Sequence, residues 1–241
     1  MELIQAQLMT TTLPNDDLFR ECIAMDMLCK EAVQFTWDGY WNVVGFRYIP
    51  PTFHWSRCRE YPWVLETVPV APTDRILDAG GGHGPLQYLL AQRAYHGSVT
   101  NADQAEESFA LVRQHPLGAL IQCDHQDLTH LSYPNNHFDK VVCISVIEHI
   151  PDQRAAVREL VRVLKPGGYL VLTCDVPVTW EAAKPTAETL KFDPAFPAML
   201  RELGVGEISF PINNLAIGLV DTQHLVVFMG LFRKPATSSR N

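Results

Sequence analysis

From residue 75 onward the chain alternates short apolar runs with longer amphipathic stretches. "RILDA" (75–79), "SVTNAD" (98–103), "ALIQCD" (119–124), "FDKVVCISV" (138–146) and "YLVLTCDV" (169–176) read as five buried strands. Between them the pattern predicts a helix over 85–93 with Pro85 in its first turn and a second over 105–114. A third, "DQRAAVRELVRVL" (152–164), is amphipathic and stopped by "KPGG". "AFPAMLRELG" (195–204) reads as a helix ended by Gly204, and "GEISF" and "QHLVVFMGLFRK" as two closing strands. Strands alternating with helices predict an α/β fold, a Rossmann-like doubly wound sheet of seven strands, mostly parallel with an antiparallel edge strand. Sheets of this kind bind ligands beyond the carboxyl ends of their strands.

The first 70 residues follow another pattern. "DDLFRECIAMDMLCKEAVQF" places Leu18, Phe19, Ile23, Met27, Leu28 and Val33 at helical spacing. "YPWVLETV" (61–68) predicts one short helix with Pro62 in its first turn. Between them Trp37, Tyr40, Trp41, Phe46, Tyr48, Phe53, His54 and Trp55 crowd a turn-rich stretch. These aromatics read either as a wall of the substrate lid or as core joining the segment to the sheet. The expectation is an N-terminal helical cap over 1–70 on a domain spanning 71–241.

Composition narrows the function classes. With 47% hydrophobic and 19% charged residues, the 241-residue chain reads as globular. A net charge of −8 argues against nucleic acid as the main partner. No apolar run reaches the roughly 18–20 residues that span a bilayer, and the start lacks the basic and apolar regions of a signal peptide. Cys22, Cys29, Cys58, Cys123, Cys143 and Cys174 are scattered, as expected of reduced thiols in a cytoplasmic protein. A monomer or homodimer acting on a small molecule, with neither nucleic acid nor membrane as partner, is expected.

The chemistry centres on "RILDAGGGHGP", with Gly80, Gly81, Gly82 and Gly84 directly after the first strand. A dinucleotide fingerprint counted from Gly80 and Gly82 needs Gly or Ala where Pro85 stands, and a phosphate P-loop needs a Lys that never follows. Both phosphate readings weaken. Acids recur at informative places: Asp78 before the glycines, Asp103 at the end of the second strand, and Asp124 and Asp127 after the third.

In these blocks the sequence resembles the class I S-adenosylmethionine-dependent methyltransferases, closest to their ubiquinone- and menaquinone-type small-molecule branch. "ILDAGGGHG", "VTNAD", "DLTHLSYPNNHFDKVVCISVIEHIPD" and "LVRVLKPGGYLVLT" follow in the family's order and at its separations, over about 75–168. Gly81 stands where many members carry Cys, and Ser132 where Pro is usual. The resemblance implies that S-adenosyl-L-methionine is the cofactor and S-adenosyl-L-homocysteine its product. It implies a cofactor set of Asp78, Gly80, Gly81, Gly82, Asp103, Gln104, Asp127, Leu128 and Ser145. Asp78 would order the loop and the cofactor's amino group, Asp103 the ribose hydroxyls, Asp127 and Leu128 the adenine. Ser145 and Val146 would pass beside the methionine moiety.

Several roles stay open at this level. Asp103 also reads as a helix cap and Asp127 as a turn cap, with Asp124 as its competitor for the adenine. Asp124, His125, Asp127 and His130 cluster as metal ligands do, although no metal is expected. His149 is the candidate catalytic base, because imidazole is the side chain suited to proton transfer near neutral pH; a packing role is the alternative. Glu148 and Asp175 are weaker candidates. An arsenite methyltransferase using Cys58, Cys143 and Cys174, a non-catalytic binding protein and a protein methyltransferase are the competing functions.

Overall fold

The computed structural model describes residues 16–33, 57–177, 202, 206–209, 218–220 and 223–236. The aromatic segment over 37–55 lies outside the described residues, as does the helix expected over 195–204, Glu202 excepted. Most of the loop between the last two expected strands lies outside them too.

Helix α1 spans Asp16–Val33 and α2 Arg57–Thr67. Then follow β1 (Arg75–Ala79), α3 (Leu86–Arg93), β2 (Ser98–Asp103), α4 (Glu106–Gln114) and β3 (Ile121–His125). The second half holds β4 (Phe138–Ile144), α5 (Gln153–Val163), β5 (Leu164–Pro177), β6 (Gly206–Ser209), β7 (Gly218–Val220) and β8 (Gln223–Arg233). All strands join one mixed sheet in the order β3-β2-β1-β4-β5-β8-β6, with β7 paired to β8. The pairings among β1 to β5 are parallel, and β8 is antiparallel to β5, β6 and β7. The antiparallel strand thus lies towards one side of the sheet, inserted between β5 and β6.

Side-chain alternation divides the core between the two faces, as the pleat of a strand requires. Ile76, Val99, Val142 and Val171 pack with α3, α1 and α2, whereas Leu77, Ala102, Val141 and Leu170 pack with α5. Helix α5 starts where the Asp152 carboxylate accepts from Ala155 N at 2.9 Å, satisfying one of the free N–H groups of a first turn.

Several features differ from the sequence reading. Among the described residues the sheet has eight strands rather than the seven expected, because Gly218–Val220, read as part of the loop before the last strand, pairs with β8. In α1 the buried face is Cys22, Met25 and Cys29, whereas Leu28 is 41% exposed. The helical spacing holds, with Leu18 packed against the same core and Leu28 turned outward. Helix α2 begins at Arg57, so Pro62 sits inside it rather than in its first turn. The Arg57–Glu60 pair within that first turn extends the helix upstream of the proline. Lastly, "KPGG" is not a plain stop. It falls within β5 as an irregularity, where pairing jumps from Phe138–Leu164 to Lys140–Tyr169 and Gly167 turns at φ +79°.

Candidate functional site

β1 ends at the glycine loop, and the loop's shape follows from what surrounds it. Gly80 has φ +74° and its N donates to Ala102 O at 2.7 Å. A Cβ there would sit 2.6 Å from both methyls of Val146, so only glycine lets the loop and the turn after β4 approach this closely. Gly82 turns at φ +52° with open space where a Cβ would project.

Two side chains hold this loop from beneath. Asn101 Nδ2 donates to Gly82 O at 2.6 Å and to Gln87 Oε1 at 2.9 Å, and Gln87 Nε2 donates to Gly84 O at 2.9 Å. Both residues are fully buried. Neither was singled out from the sequence, although an Asn in the middle of the apolar run "SVTNAD" is a readable signal: a polar group buried at a core position needs a partner.

Asp103 ends β2 beside the same loop. Its Oδ2 accepts from Gly82 N and its Oδ1 from Ala105 N, both at 2.9 Å. It therefore braces the loop and turns the chain into α4 at once. Asp78 lies deeper, 4% exposed, under the loop. Burial is the main cause of its carboxyl being pushed up to about 7; the charge of Asp103 adds to the rise and that of Arg57 opposes it.

A cleft of about 640 Å³ opens at the carboxyl ends of the central strands. Gly80, Asp103, Gln104, Asp127, Leu128, Ser145 and His149, all singled out from the sequence, line it together. Gln126, Thr129, Val146 and the 150–152 segment complete its wall. Asp78, Gly81 and Gly82 are not among the lining residues; they form the turn beneath it. A Cβ on Gly81 would meet Asp78 Oδ2 at 2.7 Å.

Asp127 is exposed, and its Oδ1 accepts from Thr129 N at 2.8 Å and Thr129 Oγ1 at 2.7 Å. Those bonds hold its carboxyl below the usual carboxylate range. It shapes a turn, as one reading of the sequence allowed, and still borders the cleft. Asp124 instead accepts from Tyr133 Oη at 2.9 Å and lies outside the cleft lining. Among the described residues no three His, Cys, Asp or Glu side chains gather as metal ligands would. Cys143 and Cys174 are fully buried, and burial followed by the field of Glu148 pushes the Cys143 thiol well up. The side chains of Cys58 and Asp175 lie outside the described residues.

His149 closes a short 3₁₀ turn, Ile147–His149, that follows β4, and its side chain is exposed at the cleft. At the start of that turn Ser145 has φ +50°. Its N donates to Thr173 O at 2.9 Å, and its Oγ donates to Glu60 Oε1 at 2.7 Å and accepts from Arg57 Nη1 at 2.5 Å. Arg57 and Glu60 were not foreseen, since their partners lie 85 or more residues away in sequence.

A mixed sheet with this strand order, a glycine turn after β1, an acid ending β2 and a cleft at the strand ends define a Rossmann-like methyltransferase fold. The cleft suits the group this fold class holds: its volume falls in the range of about 300–1,000 Å³ usual for small-molecule sites. The carboxylates of Asp103 and Asp127, acceptors suited to hydroxyl or amino groups, line it.

Residues 77–172 match the methyltransferase domain family. Among curated relatives, the chain is 33% identical over 114 residues to a ubiquinone biosynthesis O-methyltransferase of Pseudomonas aeruginosa, covering 46% of this chain and 48% of that one. A ubiquinone biosynthesis O-methyltransferase of Idiomarina loihiensis is 36% identical over 99 residues, 40% of each chain. The chain thus spans about half the length of the curated relatives it matches. Among solved structures, the [4+2]-cyclase SpnF superposes with a TM-score of 0.65 at 18% identity, covering 90% of this chain and 95% of that one.

Proposed function

We propose that the protein transfers a methyl group from S-adenosyl-L-methionine to a small-molecule acceptor by in-line displacement. The observation that carries this reading is the cleft itself, which gathers Gly80, Asp103, Asp127, Leu128, Ser145 and His149 from separate strand ends. The likeness of the domain to ubiquinone biosynthesis O-methyltransferases supports a hydroxyl on a small organic acceptor.

The bound cofactor supplies a methyl group already activated on a sulfonium. The chain therefore needs to hold, orient and exclude water. Asp103 accepts from the ribose hydroxyls while it keeps Gly82 N in place. Asp78, below the loop, carries the charge that answers the cofactor's ammonium group. Asp127 and the apolar Leu128 receive the adenine. Gln104 borders the ribose end and Ser145 the methionine end. His149 takes the proton of the acceptor hydroxyl from the cleft wall.

The test has two parts. Calorimetry should show S-adenosyl-L-homocysteine binding to the whole chain, and methyl-labelled cofactor should label phenolic or catechol acceptors but not proteins. Binding without labelling of any acceptor would favour the non-catalytic reading. Absence of binding would sink both.

A further inference from the structure

Glu60 is 0% exposed. Acids are almost never this buried unless paired, and Glu60 is paired on every side. Its Oε2 accepts from Arg57 Nη1 at 2.5 Å, and its Oε1 accepts from Ser145 Oγ at 2.7 Å and from the Thr173 hydroxyl. Burial alone would push its carboxyl up, but the charge of Arg57 and the bonds from Thr173, Ser145 and Arg57 bring it below the ordinary value. It is therefore ionised in the folded protein.

A buried ion pair is a weak source of stability, since apolar side chains of similar volume often serve as well. Its position is what sets this one apart. Ser145 directly follows β4, and Thr173 lies within β5 opposite Ile144, the last residue of β4; Ser145 is held at φ +50°, a conformation that persists only when its surroundings over-determine it. The Ser145 hydroxyl is fully used, donating to Glu60 and accepting from Arg57. The next residue, Val146, fills the space against Gly80. On the adjacent position of α2, the Tyr61 hydroxyl lies 3.0 Å from where a Cβ on Gly84 would be. One turn of α2 thus touches both walls of the cleft: the turn after β4 through Glu60, and the glycine loop through Tyr61.

We propose that Glu60, braced by Arg57, is a positioning residue that sets the Ser145–Val146 wall for the methionine-derived tail of the cofactor. This rests on the cofactor reading given above. Glu60 acts through Ser145 and Thr173. In that reading the adenosine half faces Asp103, Asp127 and Leu128 instead.

The experiment compares two ligands by calorimetry on the full chain. S-adenosyl-L-homocysteine carries the amino-acid tail, and 5′-methylthioadenosine lacks it. Glu60→Gln should weaken the first at least tenfold and leave the second within twofold. Thr173→Val, which removes one donor without stranding a buried charge, should weaken the first at least threefold and spare the second. Unchanged affinity for the tailed ligand, or equal losses for both ligands, overturns the proposal, because a purely structural role would not separate them. If Glu60→Gln does not fold, Thr173→Val decides by the same comparison. A wild-type chain that binds neither ligand overturns the cofactor reading and this one with it.

Discussion

Asp78, next to last in β1, and Asp103, last in β2, lie on adjacent parallel strands beside the glycine loop, and the charge on Asp103 helps hold the proton on Asp78. Only one of the two borders the cleft: Asp103 at its rim, with Asp78 buried below. Two acids in one site thereby acquire different protonation behaviour, mainly because one is desolvated.

That difference predicts a pH dependence. Asp78 titrates at about 7 in the folded chain against 3.8 ordinarily. The folded state therefore holds this proton more tightly, so the group's contribution to stability is complete below about 4 and is lost as pH rises through about 7. In the role proposed for Asp78, the ionised form answers the cofactor's ammonium. Affinity for S-adenosyl-L-homocysteine should rise by up to roughly tenfold per pH unit below 7 and level off above it, with a proton released on binding. Calorimetry in buffers of different ionisation enthalpy measures that proton, and Asp78→Asn should abolish the release.

Asp103→Ala removes the proposed ribose acceptor and the carboxylate that fixes Gly82 N. Cofactor binding should weaken by at least about tenfold, roughly 1.4 kcal/mol. Unchanged affinity would show that the ribose end lies elsewhere.

The two positive-φ glycines should respond unequally. Gly82→Ala meets only backbone strain, about 1–2 kcal/mol, because nothing lies within 4 Å of the new Cβ. Gly80→Ala adds a collision with Val146 at 2.6 Å, bringing the loss to about 2–5 kcal/mol. Chemical denaturation of both variants checks the order; equal losses would contradict the close packing at Gly80.

Asn101→Ala should destabilise the fold by about 1–3 kcal/mol, since it strands Gly82 O and Gln87 Oε1 in a buried site. Cofactor affinity should fall with it, and Asn101→Ser should recover part of neither, its hydroxyl being too short to span both partners.

His149→Ala should lower kcat by about 10²–10⁴-fold on a hydroxyl acceptor while leaving S-adenosyl-L-homocysteine affinity within twofold. A variant with full activity would assign His149 to packing.

Among the described residues no helix is long and apolar enough to cross a membrane. Most of the sheet was legible because its strands are short apolar runs whose period of two is written locally. The glycine turn was legible because its four glycines directly follow an apolar run, and Asp78 and Asp103 were legible as acids near the ends of the first two strands. Helix α1 was legible as a helix, while the burial of Cys22, Met25 and Cys29 beside Leu18 was decided by packing.

The sequence by itself determined the strand–helix order, the class of the domain and which acids lie near the ends of which strands, all of which follow from patterns within a few residues. Only the tertiary structure decided that Asp124 turns to Tyr133 while Asp127 borders the cleft. It alone brought Glu60 to Thr173 across 113 residues of chain. Burial and long-range pairing set the charge state of Asp78 and the partners of Glu60, and neither is encoded in local spacing. They arise when separate elements exclude water from the same few side chains.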